Sequence, residues 1–371
     1  MPRSPVTPTR SRPFPACRSG SRRSPVGSET TVRRPHPART AEPSGPGEPG
    51  RTARKRRSES MRLGTLLIAP TVLVLAVVVA FPTLDAIRMS LFGQPGLDPD
   101  TGFVSDTEPF VGLDNYATIL TDAGARFWNA FANTVFFTIT SVALEAVIGV
   151  CMALIMHQAL RGRALVRASI LIPWAIPTAI VALLWRWIFN ADGIANALLP
   201  GRVLWTTEGI QAMVAVIVAD VWKTAPFVGL LVLAGLQLIP RETHEAAKVD
   251  GAGAWRRFWS ITLPLVKPAL LVALLFRILD ALRVFDMPYV LIGPRKSSVE
   301  TLSMLAHDEA SNVRFGSGAA YAVLLFLFVV LVAFAFVKLL GADVVGDAEP
   351  RPTRRARRKA RAPRRAEGSE P

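Results

Sequence analysis

The sequence predicts an all-α, polytopic membrane protein with six transmembrane helices and both termini on the cytoplasmic side. Half of its 371 residues are apolar, and they gather into six blocks at about 63–87, 131–157, 168–189, 210–238, 264–292 and 318–340. Each block approaches or exceeds the roughly 20 helical residues that span a bilayer core of about 30 Å. Backbone groups in lipid must be satisfied within their own segment, so these blocks are read as helices. Lys and Arg, finally, are concentrated in every second connection, the pattern that orients a multi-span chain with those connections inside.

The elements follow in chain order. Residues 1–61 carry 14 Lys/Arg against 4 Asp/Glu and residues 349–371 carry 9 against 3, so the net charge of +15 belongs to the two ends. Both ends (1–61 and 342–371) are rich in Arg, Pro, Ser and Gly and poor in large apolar residues, and are expected to be disordered basic tails. Either Met61 is the true start of the protein, or the tails lie on anionic lipid, where each basic residue contributes about 1 kcal/mol. Charge confined to tails is not the basic face of a folded nucleic-acid binder; that class would require the tails to matter.

Between the tails, residues 62–341 form the predicted six-span membrane domain. Arg62 precedes the first span; Arg161, Arg163 and Arg167 follow the second; Arg241, Lys248, Arg256, Arg257 and Lys267 follow the fourth; Lys338 closes the sixth. The alternate connections are poorer in basic residues. The longest, 91–130, carries Asp98, Asp100, Asp106, Glu108, Asp114 and Asp122. It is either a contact surface for an external partner or a solvated loop with a short amphipathic entry into the second span. Pro173, Pro177, Pro226 and Pro288 interrupt three spans, which neighbouring helices can tolerate. Trp185-Arg186-Trp187 reads as an interfacial aromatic belt with a snorkelling arginine. Cys17 and Cys151 suggest no disulfide framework.

The polar break at 240–264 is the most informative segment. Pro240 opens a short helix-prone stretch, and Gly251 stands where a helix commonly ends, since glycine takes positive φ freely. Ala246 and Ala247 are small enough to let this helix enter a facing groove, and Glu245 can accept hydrogen bonds there. Leu263-Pro264 is expected to restart the chain as the fifth span. The order is Glu245-Ala246-Ala247, three residues, Gly251, nine residues, Ile261-Thr262-Leu263-Pro264.

In every fixed position this segment resembles the EAA loop of permease subunits of ATP-binding-cassette importers. The likeness extends over about 62–341, through Phe110-Val111-Gly112-Leu113-Asp114-Asn115-Tyr116, Leu171-Ile172-Pro173-Trp174 and Phe285-Asp286-Met287-Pro288-Tyr289-Val290-Leu291. It is similar to carbohydrate importers of the maltose and glycerol-phosphate type, and most nearly to the trehalose-importing permeases of actinobacteria. One departure is Ile292-Gly293-Pro294-Arg295, where the family usually has Thr-Gly-Gly-Pro. The resemblance implies a type I importer permease in the bacterial plasma membrane, forming half of the pathway for a disaccharide such as trehalose or maltose. It implies a second permease, an ATPase dimer and an extracytoplasmic sugar-binding protein as partners, with Glu245, Ala246, Ala247, Asp250 and Gly251 contacting the ATPase.

The chain itself is not expected to be an enzyme or to hold a cofactor or metal. It has no G-x-x-x-x-G-K-[ST] phosphate cradle, its four histidines are scattered, and Lys248 stands where a zinc-protease helix starting at His244 would need its second histidine. Ionisable residues inside spans, by contrast, mark pathways or partners. At helical spacing Asp220, Thr224 and Phe227 share one face, and Arg277, Asp280, Ala281 and Val284 another. In related disaccharide permeases these two spans contact sugar. The structural alternative is that Arg277/Asp280 and Arg283/Asp286 are intrahelical ion pairs. A different function remains open on the same residues: an ion-coupled secondary transporter with Asp220 and Asp280 as proton carriers.

Overall fold

The computed structural model describes residues 65–94, 109–158 and 162–341. Both tails, Met61, Arg62, Arg161 and the acidic residues Asp98, Asp100, Asp106 and Glu108 lie outside the described residues. The chain divides into units Met1–Ile68 and Ala69–Pro371, and the packing below is that of the second.

Among the described residues all regular structure is helical apart from one isolated bridge between Phe92 and Phe110. Five helices are long and apolar enough to cross a membrane: α1 (Thr65–Met89), α3 (Gly124–His157), α7 (Ile210–Gln237), α9 (Ala254–Ala281) and α12 (Phe315–Leu339). The pair α4 (Arg163–Ala175) and α5 (Thr178–Ile188) is apolar enough together and meets at 94°, the geometry of a broken span or a re-entrant loop. The break has a local cause: Pro177 disfavours the helical region for its predecessor, and Ile176 is extended at φ −80° and ψ 135°. The shorter helices are α2 (Asp114–Leu120), α6 (Ile194–Ala197), α8 (Arg241–Val249), α10 (Asp286–Leu291) and α11 (Leu302–Ser311).

The apolar run 264–292 is not one helix, and Leu263-Pro264 does not restart the chain. Helix α9 begins ten residues earlier and passes through a π turn, Phe258–Thr262, directly ahead of Pro264. A proline ring collides with the carbonyl four residues back, and a widened turn makes room for it without stopping the helix. At the other end α9 stops at Ala281, and α10 starts afresh at Asp286 with Pro288 in its first turn. The carbonyl of Val284, freed in this break, accepts a hydrogen bond from Thr301 Oγ1 at 2.9 Å.

Helix α7 is the hub. Two thirds (67%) of its most apolar stretch is buried, against 33% for α3, 22% for α9 and none for α1. One core cluster joins α7 to α5 and α10 through Val181, Ala182, Ala212, Val216, Met287 and Leu291. A second joins it to α3 and α9 through Ala153, Met156, Val228, Val232, Val266 and Ala273. A third, Ile119, Phe127, Leu302, Leu305 and Tyr321, seats α2 and α11 on α3 and α12. The outer faces of α1 and α12 remain apolar and exposed, as lipid-facing surfaces must be.

Close helix contact depends on small residues where α3 crosses α7. A Cβ added at Gly149 would stand 2.7 Å from Val228 Cγ1 and 3.1 Å from the Gly229 amide nitrogen. Lipid supplies no hydrophobic drive to bring helices together, so such backbone approach carries much of the association energy. Gly149→Val is therefore expected to destabilise the subunit by about 1–3 kcal/mol through overpacking. Thermal unfolding in detergent checks this, with Gly253→Ala, where an added Cβ meets nothing within 4 Å, as the neutral control.

Candidate functional site

Two features stand out, an exposed capped helix and a buried ionic cluster beside an open pocket. Helix α8 occupies the EAA segment. Pro240 at its N-terminal boundary is extended at φ −60° and ψ 140°. Gly251 has φ +75°, its amide donates to Lys248 O at 3.0 Å, and the Ala252 amide donates to Ala247 O at 2.9 Å. These two reverse bonds close a glycine-terminated helix and satisfy its last carbonyls. Ala247 packs inward, whereas Glu245, Ala246, Asp250 and Gly251 are exposed. Leu238, Val249 and Trp255 present a further apolar surface around them, Val249 being 89% exposed. The result is a short capped helix that turns small and acidic residues outward.

The ionic cluster lies between α3, α7 and α9. The Arg277 guanidinium is 3% exposed, and each of its three nitrogens has a carboxylate partner: Nε donates to Glu145, Nη2 to Asp220, and Nη1 to Asp280 at 2.9 Å. Glu145 is fully buried, and its Oε1 is 2.7 Å from Thr224 Oγ1, which is also 2.6 Å from the Asp220 carbonyl oxygen. Asp280 is different, its side chain 60% exposed with Arg283 3.9 Å away. In front of the cluster a pocket of about 210 Å³ is lined by Trp174, Thr224, Phe227, Phe276, Arg277, Asp280 and Arg283. The Trp174 and Phe227 rings stack at 5.7 Å with 25° between planes, forming one wall.

Four residues expected on two separate faces thus meet at one pocket: Thr224, Phe227, Arg277 and Asp280. Asp220 stands behind it, buried against Arg277, while Ala281 and Val284 pack into the core. Arg277 and Asp280 do form an intrahelical pair, but Arg283 approaches Asp280 rather than Asp286. In the aromatic belt, Trp185 turns inward against Phe189 and Trp222, leaving Arg186 and Trp187 exposed. Sequence reasoning missed Glu145 and Trp174. Glu145 had a signal, as the one carboxylate within the block 131–157, and an intramembrane carboxylate needs a partner.

A second polar network ties α11 to the start of α3. Arg126 holds Glu300 with two bonds of 2.9 and 2.6 Å and reaches Asp308 at 2.9 Å; Arg295 holds Asp308 from the other side at 2.9 Å. Partial burial would raise the Asp308 carboxyl, but the hydrogen bonds from Arg126 and Arg295 outweigh it and hold the group below the usual carboxylate range. Asn129 and Asn133 donate to Ser297 O, so the segment carrying the unusual Gly293-Pro294-Arg295 is anchored to α3. Arg295 takes a positive φ of 56° there.

The family model described as "Binding-protein-dependent transport system inner membrane component" matches residues 145–345. Together with the helical bundle and the exposed capped helix, this defines a permease: a non-catalytic, multi-pass subunit of the bacterial plasma membrane that works with a separate ATPase. The chain belongs to this family, and within it to the ATP-binding-cassette importers of carbohydrates, with an EAA loop at α8. It is 42% identical over 293 residues to the trehalose transport system permease protein SugA of Mycobacterium tuberculosis, covering 78% of this chain and 92% of that one. It is 40% identical over 291 residues to the trehalose/maltose transport system permease protein MalF of Thermococcus litoralis, covering 77% and 96%. Its fold resembles a chain of a bacterial ABC transporter involved in the import of the acidic polysaccharide alginate, with TM-score 0.65 at 20% identity over 79% of this chain and 99% of that one.

Proposed function

We propose that this permease carries a neutral disaccharide, trehalose or maltose, along a pathway whose half on this subunit is the pocket of Trp174, Thr224, Phe227, Arg277 and Asp280. The observation that carries the reading is the stacked Trp174 and Phe227 pair facing hydrogen-bonding side chains across one open pocket. Sugar rings present apolar faces to aromatic rings and hydroxyls to planar polar groups, and this wall offers both. The names of the relatives favour the same substrates. Asp220, Ala281 and Val284 support the wall from behind. The importer permease family, with ATP as its energy source, replaces the ion-coupled transporter; here both Asp220 and Asp280 are engaged by Arg277.

The subunit has six spans over 62–341 with both termini cytoplasmic, the bent pair α4 and α5 serving as the third. A second permease completes the pathway, an ATPase dimer receives α8 through Glu245, Ala246, Ala247, Asp250 and Gly251, and a sugar-binding protein delivers substrate from outside. The test is reconstitution with the three partner proteins and measurement of ATP-dependent uptake of trehalose, maltose, other oligosaccharides and glycerol phosphate. Uptake of none of the sugars overturns the assignment. In the same assay Trp174→Ala is expected to raise the KM for sugar five- to tenfold, about 1 kcal/mol of stacking, with ATPase activity in the absence of sugar preserved.

A further inference from the structure

The contacts of Thr224 contain one acceptor too many. Its hydroxyl oxygen lies 2.6 Å from the Asp220 carbonyl and 2.7 Å from Glu145 Oε1, both full-strength separations. A hydroxyl has a single proton to donate. A shared, three-centred bond looks different: in this same protein Thr140 Oγ1 lies 2.6 Å from one carbonyl and 3.2 Å from the next. Two short contacts around Thr224 therefore require two protons, and of the two acceptors only the carboxyl can carry one. The charges agree. Within the buried set, Arg277 supplies one positive charge and Glu145 and Asp220 two negative ones, and an uncompensated buried anion is strongly disfavoured. Two further charges stand nearby: Asp280, shared between Arg277 and Arg283 at the open pocket, and Lys223, half-buried on α7, which attracts Asp220 through space but, among the described residues, forms no ion pair with the set.

We propose that Glu145 is held as a neutral carboxylic acid whose proton is donated to Thr224 Oγ1. This makes Glu145, Asp220 and Arg277 an uncharged buried unit that positions the Arg277 guanidinium behind the pathway pocket. Thr224 then donates to the Asp220 carbonyl, Glu145 Oε2 accepts from Arg277 Nε, and Asp220 remains the ionised partner. Glu145 is on this account a positioning residue. The assignment of the proton is independent of which sugar the pathway carries, so it can fail or hold separately from the proposed function.

The test is infrared difference spectroscopy of the assembled importer, wild type minus Glu145→Gln, in light and heavy water. A glutamine amide offers the same donor to Thr224 and the same acceptor to Arg277, so this variant is expected to assemble with an unchanged Tm, whereas Glu145→Ala loses assembly. The expected spectrum contains a protonated-carboxyl C=O band that shifts in heavy water and is absent from Glu145→Gln. Thr224→Val removes the acceptor, and the band is expected to persist at higher frequency. Absence of the band in the wild-type complex overturns the proposal, as does a Glu145→Gln variant that fails to assemble or a band indifferent to Thr224→Val.

Discussion

Arg277→Ala is expected to leave little or no assembled importer. The substitution strips both Glu145 and Asp220 of their donor in the interior of the bundle, where neither can reach solvent. Removing one partner of a buried charge set costs about 3–5 kcal/mol, most of it the desolvation of what is left behind, and that is comparable to the whole stability of many domains. Arg277→Lys is expected to fail nearly as badly, because an ammonium lacks the planar fork that serves three carboxylates at once. The loss should be reversible by neutral replacements: Arg277→Met combined with Glu145→Gln and Asp220→Asn removes the unpaired Asp220 charge along with both orphaned carboxyl groups and should restore assembly. Size-exclusion chromatography of the detergent-extracted complex distinguishes these outcomes. Normal assembly of Arg277→Ala would mean that the cluster does not hold α3, α7 and α9 together.

Glu245→Lys is expected to do the opposite: an intact, assembled complex that no longer transports. Glu245 projects from the exposed face of α8, and the bundle does not depend on it. With α8 seated in an ATPase groove as proposed, reversing this charge should cost about 2 kcal/mol or more of docking energy, equivalent to a roughly thirtyfold or greater fall in uptake. Gly251→Pro should give the same phenotype from the backbone side, since proline cannot adopt the φ of +75° and has no amide to donate to Lys248 O. Both variants should retain wild-type Tm while losing stimulation of ATP hydrolysis by the loaded binding protein. Full stimulation in both would remove α8 from the coupling path.

What could be read beforehand was local. Pro240, the two alanines and Gly251 specify a capped helix within a dozen residues, and the structure forms it with the bonds such a glycine permits. The straight spans were equally legible, because a long apolar block needs no neighbour to declare itself. Breaks were not. Pro177 is visible in the sequence and reads as tolerable within one span, yet Ile176 is extended before it and the flanking helices meet at 94°. The run 264–292 carried signals of its division, Arg283, Asp286 and Pro288, but none of them marks whether a span is broken or only interrupted, and the helical start at Ala254 was hidden behind the expectation that Pro264 begins a helix. The cluster was the least accessible feature. Glu145 and Arg277 are separated by 132 positions, and no periodicity on either helix indicates that one is the other's partner.

The continuity of α9 has a mechanical meaning. From Ala254, beside the docking helix, to Arg277, at the pocket, the rod is about 35 Å long at 1.5 Å per residue. It bears on α7 near its middle, where Ala269 fits against Gly235. Val266 and Ala273 pack on either side of that contact, and beyond it Arg277 is tied to α3 and α7, so the rod is clamped along its length and not pivoted at one point. A clamped rod cannot tilt by itself: any displacement of Ala254 has to carry α3 and α7 with it, and the wall of the pocket moves with them as one body.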